Sequence, residues 1–201
     1  LSLLVILGND KLGGLALSKI VHQAHLHLQI DLSSNYRRVI RLVGKGVLSI
    51  DLVIKMFFAE CKRGGRKPSG NYPGIQGNSD LIKSLSTFKP TEVVLFRAGL
   101  IVSKEVLGMG IPIYNIHAAR VPEYGGLGSI ARALKDGALE QFASLHEVTS
   151  KIDEGKLLDS ENFLLSPKAS YFENEQTAYS AAIRLLIRRI QAFQGNERNN
   201  E

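Results

Sequence analysis

Asn115 and His117 stand two residues apart at the end of an apolar run, Ile111–Ile116. On an extended chain that spacing turns both side chains to the same side. An amide beside an imidazole suits attack on a carbonyl. The amide donates to the oxygen as it gains charge, and the imidazole takes or relays a proton near neutral pH. Neither neighbour is a carboxylate able to orient the imidazole. Asp153 supplies one, 38 positions after Asn115, in the turn Lys151–Gly155.

The elements that must carry these residues alternate. The apolar run Leu3–Leu7 reads as a buried parallel strand, followed by the turn Gly8–Gly14 and a helix over Leu15–Leu28 (LALSKIVHQAHLHL). Residues 35–60 read as helical, broken in two at Gly44 and Gly46, and Arg63–Gly77 is a Gly/Pro-rich basic loop. A helix at Asp80–Phe88 and a strand at Glu92–Phe96 follow, then a short helix at Ser103–Leu107 and the strand Ile111–Ile116. After the loop His117–Gly128 come a helix at Ile130–Lys135, strands at Ala143–Val148 and Leu157–Leu165, and a helix at Thr177–Phe193. This order predicts an α/β fold: a Rossmann-like, mostly parallel sheet with helices on both faces. It also puts Asn115 and His117 at the carboxyl end of a strand, where open α/β sheets bind ligands. The expected organisation is a single domain over residues 1–201, with a basic helical insertion at about 35–68.

Composition narrows the function. The chain has 201 residues, 44% apolar and 22% charged, which suits one globular domain. A single cysteine, Cys61, excludes a disulfide framework and a multi-Cys zinc site, and is expected to lie partly buried on the second helix. No apolar run reaches the roughly 18 residues of a membrane span. A cytoplasmic setting is the expectation, although the sequence opens on Leu rather than Met. The net charge is +6, but residues 35–68 hold nine basic side chains and two acidic ones, leaving −1 for the remainder. The basicity is local, and few aromatics accompany it, so nucleic acid is not the expected partner. The insertion reads as an amphipathic helical pair on the sheet edge, with acceptor-phosphate binding or an anionic membrane surface as its functional alternatives. His22, His25 and His27 do not share one helix face, so no metal is expected there or elsewhere.

Asn115-Ile116-His117, then Pro122, Tyr124 and Gly126, then Ile152-Asp153-Glu154-Gly155 with Leu157-Leu158, resembles the folate-dependent formyltransferase family. That family includes the glycinamide ribonucleotide, methionyl-tRNA and sugar N-formyltransferases. The resemblance is strongest over residues 92–160, and His146 also matches a family histidine. It implies formyl transfer from 10-formyltetrahydrofolate to a small-molecule primary amine. Asn115 and protonated His117 would stabilise the oxyanion, and Asp153 would hold the His and favour its charged form.

The resemblance also places the ligands. The folate would lie along Arg97, Gly99, Leu100 and Ile101, with its pteridine in the loop of Val148, Thr149 and Ile152. The acceptor would meet Asn9, Lys11, Arg120 and Tyr124. The chain departs from the family at Ala118-Ala119, Arg120 and Gly125, where the family often has Pro or Gly then Ser, an apolar residue, and Arg. The first turn also lacks the Gly-x-Gly-Ser-Asn phosphate cradle of the purine branch. The tRNA branch carries a further C-terminal domain, whereas the sequence given ends at the family core. The expected acceptor is therefore a phosphate-bearing, nucleotide-linked amino sugar, and a homodimer is compatible with the resemblance. Two alternatives remain open: hydrolysis of 10-formyltetrahydrofolate at the same site, and a degenerate binding module of the same fold.

Overall fold

In a computed structural model, residues 2–23, 26–33 and 36–198 are described, with the side chains of 36–38 and 196–198 set aside. The elements run β1 (Leu3–Gly8), α1 (Lys11–Ile20), β2 (Leu26–Asp31), α2 (Tyr36–Gly44), α3 (Ile50–Lys62), β3 (Gly74–Ile75) and α4 (Asn78–Phe88). They continue with β4 (Glu92–Phe96), α5 (Lys104–Leu107), β5 (Ile113–His117), α6 (Ser129–Lys135), β6 (Glu140–Glu147), β7 (Leu157–Leu164) and α7 (Tyr171–Arg198). One seven-stranded sheet has the order β3-β2-β1-β4-β5-β6-β7. β1 to β5 pair in parallel, and β6 and β7 add antiparallel beyond β5.

β1 and β4 are buried along their whole length, as continuous apolar runs in a parallel sheet should be. Alternate side chains feed two cores. Leu3, Val5 and Leu7 pack with α1 and α7 on one face, and Leu4 and Ile6 pack with α4 and α5 on the other. The predicted α/β architecture is the one observed.

Three expectations need correction. The first helix does not run to Leu28: it ends at Ile20, and β2 begins at Leu26. Leu26, Leu28 and Ile30 alternate with His27, Gln29 and Asp31, a period of two that the helix-like spacing of Leu17, Ile20, Val21 and Leu28 masks. The free backbone edge of β1 decides the matter by pairing with β2 from Leu3–Leu26 to Gly8–Asp31. Of the three clustered histidines, His27 therefore lies on a strand, while His25 and its neighbour Ala24 lie outside the described residues. Among the described residues no group of three or more His, Cys, Asp or Glu could hold a metal ion.

The insertion does form two helices broken at the glycines, but it does not sit on the sheet edge. α3 packs on α7, and Leu48 and Leu52 lie against Gly128, over the carboxyl ends of the strands. Cys61 is exposed rather than partly buried.

The first turn also differs from a ligand cradle. Asp10 caps α1, its Oδ1 accepting from the Gly13 amide at 2.8 Å. A Cβ on Gly13 would stand 1.9 Å from the Gly8 carbonyl oxygen, and one on Gly14 would stand 1.9 Å from that of Arg66. These glycines let backbone meet backbone. Gly13→Ala is expected to cost about 3 kcal/mol, because the obstacle is backbone that cannot swing aside; the thermal unfolding midpoint of the variant checks it.

Candidate active site

β5 carries Asn115 and His117 to its carboxyl end, and antiparallel β6 sets His146 directly opposite Asn115. Asp153 reaches the same point from the turn after β6, in a left-handed backbone conformation (φ 54°) that Asp tolerates better than most residues. Four side chains predicted or matched from distant parts of the sequence thus converge.

Asp153 is the hub. Its Oδ2 accepts from the Gly126 amide at 2.6 Å and lies 3.8 Å from His117 Nδ1. Its Oδ1 lies 3.5 Å from His146 Nε2 and 3.4 Å from Asn115 Nδ2. Burial alone would raise this carboxyl. The contacts with His146, His117 and the Gly126 amide outweigh it and bring the pKa down to about 2. Asp153 is therefore an anion at every pH where the protein would work.

The imidazoles are oriented by main-chain carbonyls. His117 Nε2 lies 3.0 Å from the Tyr124 carbonyl oxygen, so Nε2 carries the hydrogen and Nδ1 turns to Asp153. His146 Nδ1 lies 2.9 Å from the Glu147 carbonyl oxygen, which leaves Nε2 to accept from Asn115 Nδ2 at 3.2 Å. Burial of His117 is the largest influence on its pKa and lowers it; Asp153 raises it, but by less. The resting imidazole is thus mainly neutral at pH 7. Asp153 acts in the expected sense, favouring the charged imidazole, but burial is the larger influence.

A cavity of about 290 Å³ opens beside this cluster. Arg97, Gly99, Leu100, Ile101, Val148, Thr149 and Ile152 all line it, as do Asn115, His117 and Asp153. Ile101 and Ile152 stand half exposed at its rim, 52% and 54% accessible. The Arg97 side chain is committed to two other residues of the cavity lining, Asp10 and Tyr179. Its Nε donates to Asp10 Oδ2 at 2.7 Å and its Nη1 to the Tyr179 hydroxyl. Burial works against the guanidinium charge, but Tyr179 and Asp10 more than compensate and raise its pKa.

The four residues expected to meet an acceptor do not gather at the cavity. Lys11 Nζ donates to the Arg63 and Cys61 carbonyls at 2.8 and 3.2 Å and so ties down the end of α3. Tyr124 is buried in the main core and contributes its carbonyl to His117. The Arg120 guanidinium lies over the Tyr124 ring, 5.9 Å from its centroid. Asn9, Lys11, Arg120 and Tyr124 are all absent from the cavity wall, whereas Asp10, Met56 and Glu175 form part of it. The departure at Gly125 has a steric counterpart: a Cβ there would stand 2.9 Å from the Cβ of Asp153.

Two positioning residues complete the arrangement: His146, which the resemblance had matched, and Asp31, which sequence reasoning missed. His146 is 1% exposed and touches both Asn115 and Asp153; its register opposite Asn115 was the available signal. Asp31 is fully buried at the end of β2. Its Oδ2 accepts from the Gly99 and Leu100 amides and its Oδ1 from the Ser33 amide, which fixes the 97–101 wall. No local signal marks it, because its partners lie 68 and 69 positions away.

Comparison with known proteins agrees with this geometry. A methionyl-tRNA formyltransferase of Nitrosomonas europaea is 32% identical over 98 residues, covering 47% of this chain and 30% of that protein. The matched segments span less than a third of the length of the first such relatives. Among solved structures, glycinamide ribonucleotide transformylase 1 from Symbiobacterium toebii superposes with a TM-score of 0.66 at 14% identity, covering 98% of this chain and 89% of that one. A sugar N-formyltransferase from Shewanella sp FDAARGOS_354 superposes with a TM-score of 0.63 at 12% identity, covering 92% and 66%. At such identities the likeness is one of fold. The sequence profile described as formyl transferase, however, matches residues 59–190, a stretch that contains Asn115, His117, His146 and Asp153, and the chain therefore belongs to the formyl transferase family.

Proposed function

We propose that this chain transfers a formyl group from 10-formyltetrahydrofolate to a primary amine, and that the amine belongs to a nucleotide-linked amino sugar. The observation that carries the reading is the convergence of Asn115, His117 and Asp153 at one end of a cavity walled by residues 97–101 and 148–153. The cavity is near the lower end of the roughly 300–1,000 Å³ usual for ligand sites, which suits a pteridine and its formyl group with the tail projecting outward. Apolar walls at Leu95 and Val148, and the exposed Ile101 and Ile152 at the rim, fit a flat aromatic ring. When bound, the folate supplies an electrophilic formyl carbon.

This chain's own residues then act on charge and protons. The amine must arrive neutral to attack. Asn115 holds one amide hydrogen toward His146 and the other toward Asp153 at 3.4 Å, the longer contact and the one free to turn to an oxygen that gains charge. As the amine nitrogen bonds the formyl carbon, the proton it releases is received at His117 Nδ1, beside Asp153, where the carboxylate stabilises the resulting imidazolium. That proton is passed on, through water, to the folate nitrogen as its bond to the formyl carbon breaks and tetrahydrofolate leaves. Asp31 does not touch substrate; it positions the donor wall. Asp31→Ala removes the carboxylate that accepts from the Gly99, Leu100 and Ser33 amides and is expected to raise KM for the donor about tenfold while kcat changes less, as steady-state kinetics with varied donor would read.

The fold likeness covers glycinamide ribonucleotide and sugar enzymes alike, so the acceptor rests on the first turn. Its glycines are in backbone contact, Asp10 caps α1, and Lys11 is committed to α3, an arrangement that offers no phosphate cradle of the purine type. The test is incubation with 10-formyltetrahydrofolate and a panel of nucleotide-linked amino sugars, glycinamide ribonucleotide and methionyl-tRNA. Mass spectrometry reads the formylated product, and absorbance reads tetrahydrofolate release. Formylation of an amino sugar is the expected result. Formylation of either other acceptor overturns the sugar assignment, and tetrahydrofolate release without any formylated acceptor overturns transfer in favour of hydrolysis.

A further inference from the structure

α3 is apolar on two opposite faces. Leu52 and Ala59, 8% and 2% exposed, face the protein, and Met56 beside them lines the active-site cavity. Ile50, Ile54, Phe57 and Phe58 recur at i, i+4, i+7 and i+8, which is one face of a helix and the face turned from that core. They are 49–66% exposed, and the two phenyl rings lie edge to face with centroids 5.9 Å apart. Val47 in the preceding turn and Ile40 on α2 extend the exposed apolar surface. A contiguous row of large apolar groups left in water signals an interaction surface.

The charges around the row narrow the occupant. Arg41, Lys45, Lys55, Lys62, Arg66 and Lys67 are exposed on the same segment, against the acids Asp51 and Glu60. Residues 35–68 carry a surplus of seven positive charges, whereas the rest of the chain sums to −1. A second copy docked through this face would bring two such surpluses together, which opposes self-association. A bilayer with anionic headgroups answers both features, because apolar side chains enter the acyl boundary while Lys and Arg reach the phosphates. We propose that the α2–α3 insertion docks the protein on anionic membranes, with Ile50, Ile54, Phe57 and Phe58 as the inserted row. Because the opposite face of α3 roofs the cavity, docking holds the mouth of the site within about one helix diameter, ~10 Å, of the membrane. Among the described residues no helix is long and apolar enough to cross a membrane.

Co-sedimentation of the full chain with vesicles tests this. Vesicles of phosphatidylcholine with about one-third phosphatidylglycerol should bind at least about tenfold more tightly than pure phosphatidylcholine, with binding falling as salt rises. Phe57→Ser with Phe58→Ser should weaken that binding by about tenfold or more, since two aromatic groups no longer leave water. Both positions are exposed, so the far-UV circular dichroism and melting midpoint of the variant should match the parent. Arg41→Glu with Lys45→Glu should weaken binding while leaving the apolar row intact. Cys61, the one cysteine of the chain, is exposed one turn beyond Phe57, and an environment-sensitive thiol dye on it should shift to the blue only with anionic vesicles. Failure of the parent to bind anionic vesicles overturns the proposal. So does binding that the phenylalanine pair leaves unchanged, which would mark a purely electrostatic surface suited to an acidic protein. A parent dimer that the phenylalanine pair converts to monomer overturns it in favour of self-association.

Discussion

Asp153→Asn is expected to lower kcat by about a thousandfold or more while the protein stays folded. The substitution is nearly isosteric, and Asn accepts the left-handed backbone of that turn as readily as Asp does. What it removes is the charge. Asp153 accepts from Gly126, faces His117 and His146, and receives the Asn115 amide. A neutral amide cannot accept at both ends, nor can it stabilise a proton arriving on His117 Nδ1. The folded protein should also lose some stability. The carboxyl's pKa is drawn down to about 2 from an ordinary value of 3.8, and its side chain is 10% exposed. That corresponds to roughly 2 kcal/mol at neutral pH, present above the unfolded value and lost as pH falls from about 4 to about 2. The midpoint of thermal unfolding at pH 7 should therefore drop by several degrees, on the order of 5 °C. Stopped-time assays of tetrahydrofolate release, with circular dichroism on the same preparation, measure both effects. Full turnover in the variant would falsify the assigned role of Asp153.

How far such a site can be read in advance depends on where its information resides. Asn115 and His117 were legible because strand period and chain order fix them on one side of a strand end, and Asp153 because it closes the next turn at a recognisable spacing. Residues 97–101 and 148–153 were singled out by the family resemblance, and both segments line the cavity beside the cluster. The acceptor side did not follow. Lys11 sits in a Gly-containing turn after a strand, yet its direction is set by the carbonyls at the end of α3, some fifty positions on. Arg120 and Tyr124 lie in the right loop, but Tyr124 is drawn into the core. β2 was hidden because its apolar residues satisfy a helical period as well as a strand period, and only the pairing demand of β1 separates the two. The basic insertion showed its helices and its charge in the sequence. Which face of the molecule it covers is a property of α3 against α7 and Gly128, contacts that no local pattern encodes.

His117→Ala is expected to lower kcat by about a hundred- to ten-thousandfold, the usual range for a removed general base. Its pH dependence carries the stronger test. Burial sets the imidazole's pKa below its ordinary value of 6.5, with Asp153 opposing. The acid limb of kcat/KM that belongs to the enzyme should therefore have its midpoint below 6.5. The acceptor amine adds its own limb, which must stay fixed in every variant because it belongs to the substrate. In His117→Ala the enzyme's limb should vanish and the substrate's limb remain. In Asp153→Asn, where residual turnover can be followed, the enzyme's limb should move to still lower pH, because the one nearby anion supporting the charged imidazole is gone. Stability moves in the same sense. A histidine held neutral by burial favours the folded state fully above its unfolded value, and this contribution is lost as pH falls from there through the folded one. The parent's unfolding midpoint should accordingly begin to fall below about pH 6.5, ahead of the decline near pH 4 to 2 that Asp153 contributes, and His117→Ala should abolish the first decline and retain the second. An enzyme limb that stays at the same pH in both variants would mean that His117 does not handle the proton.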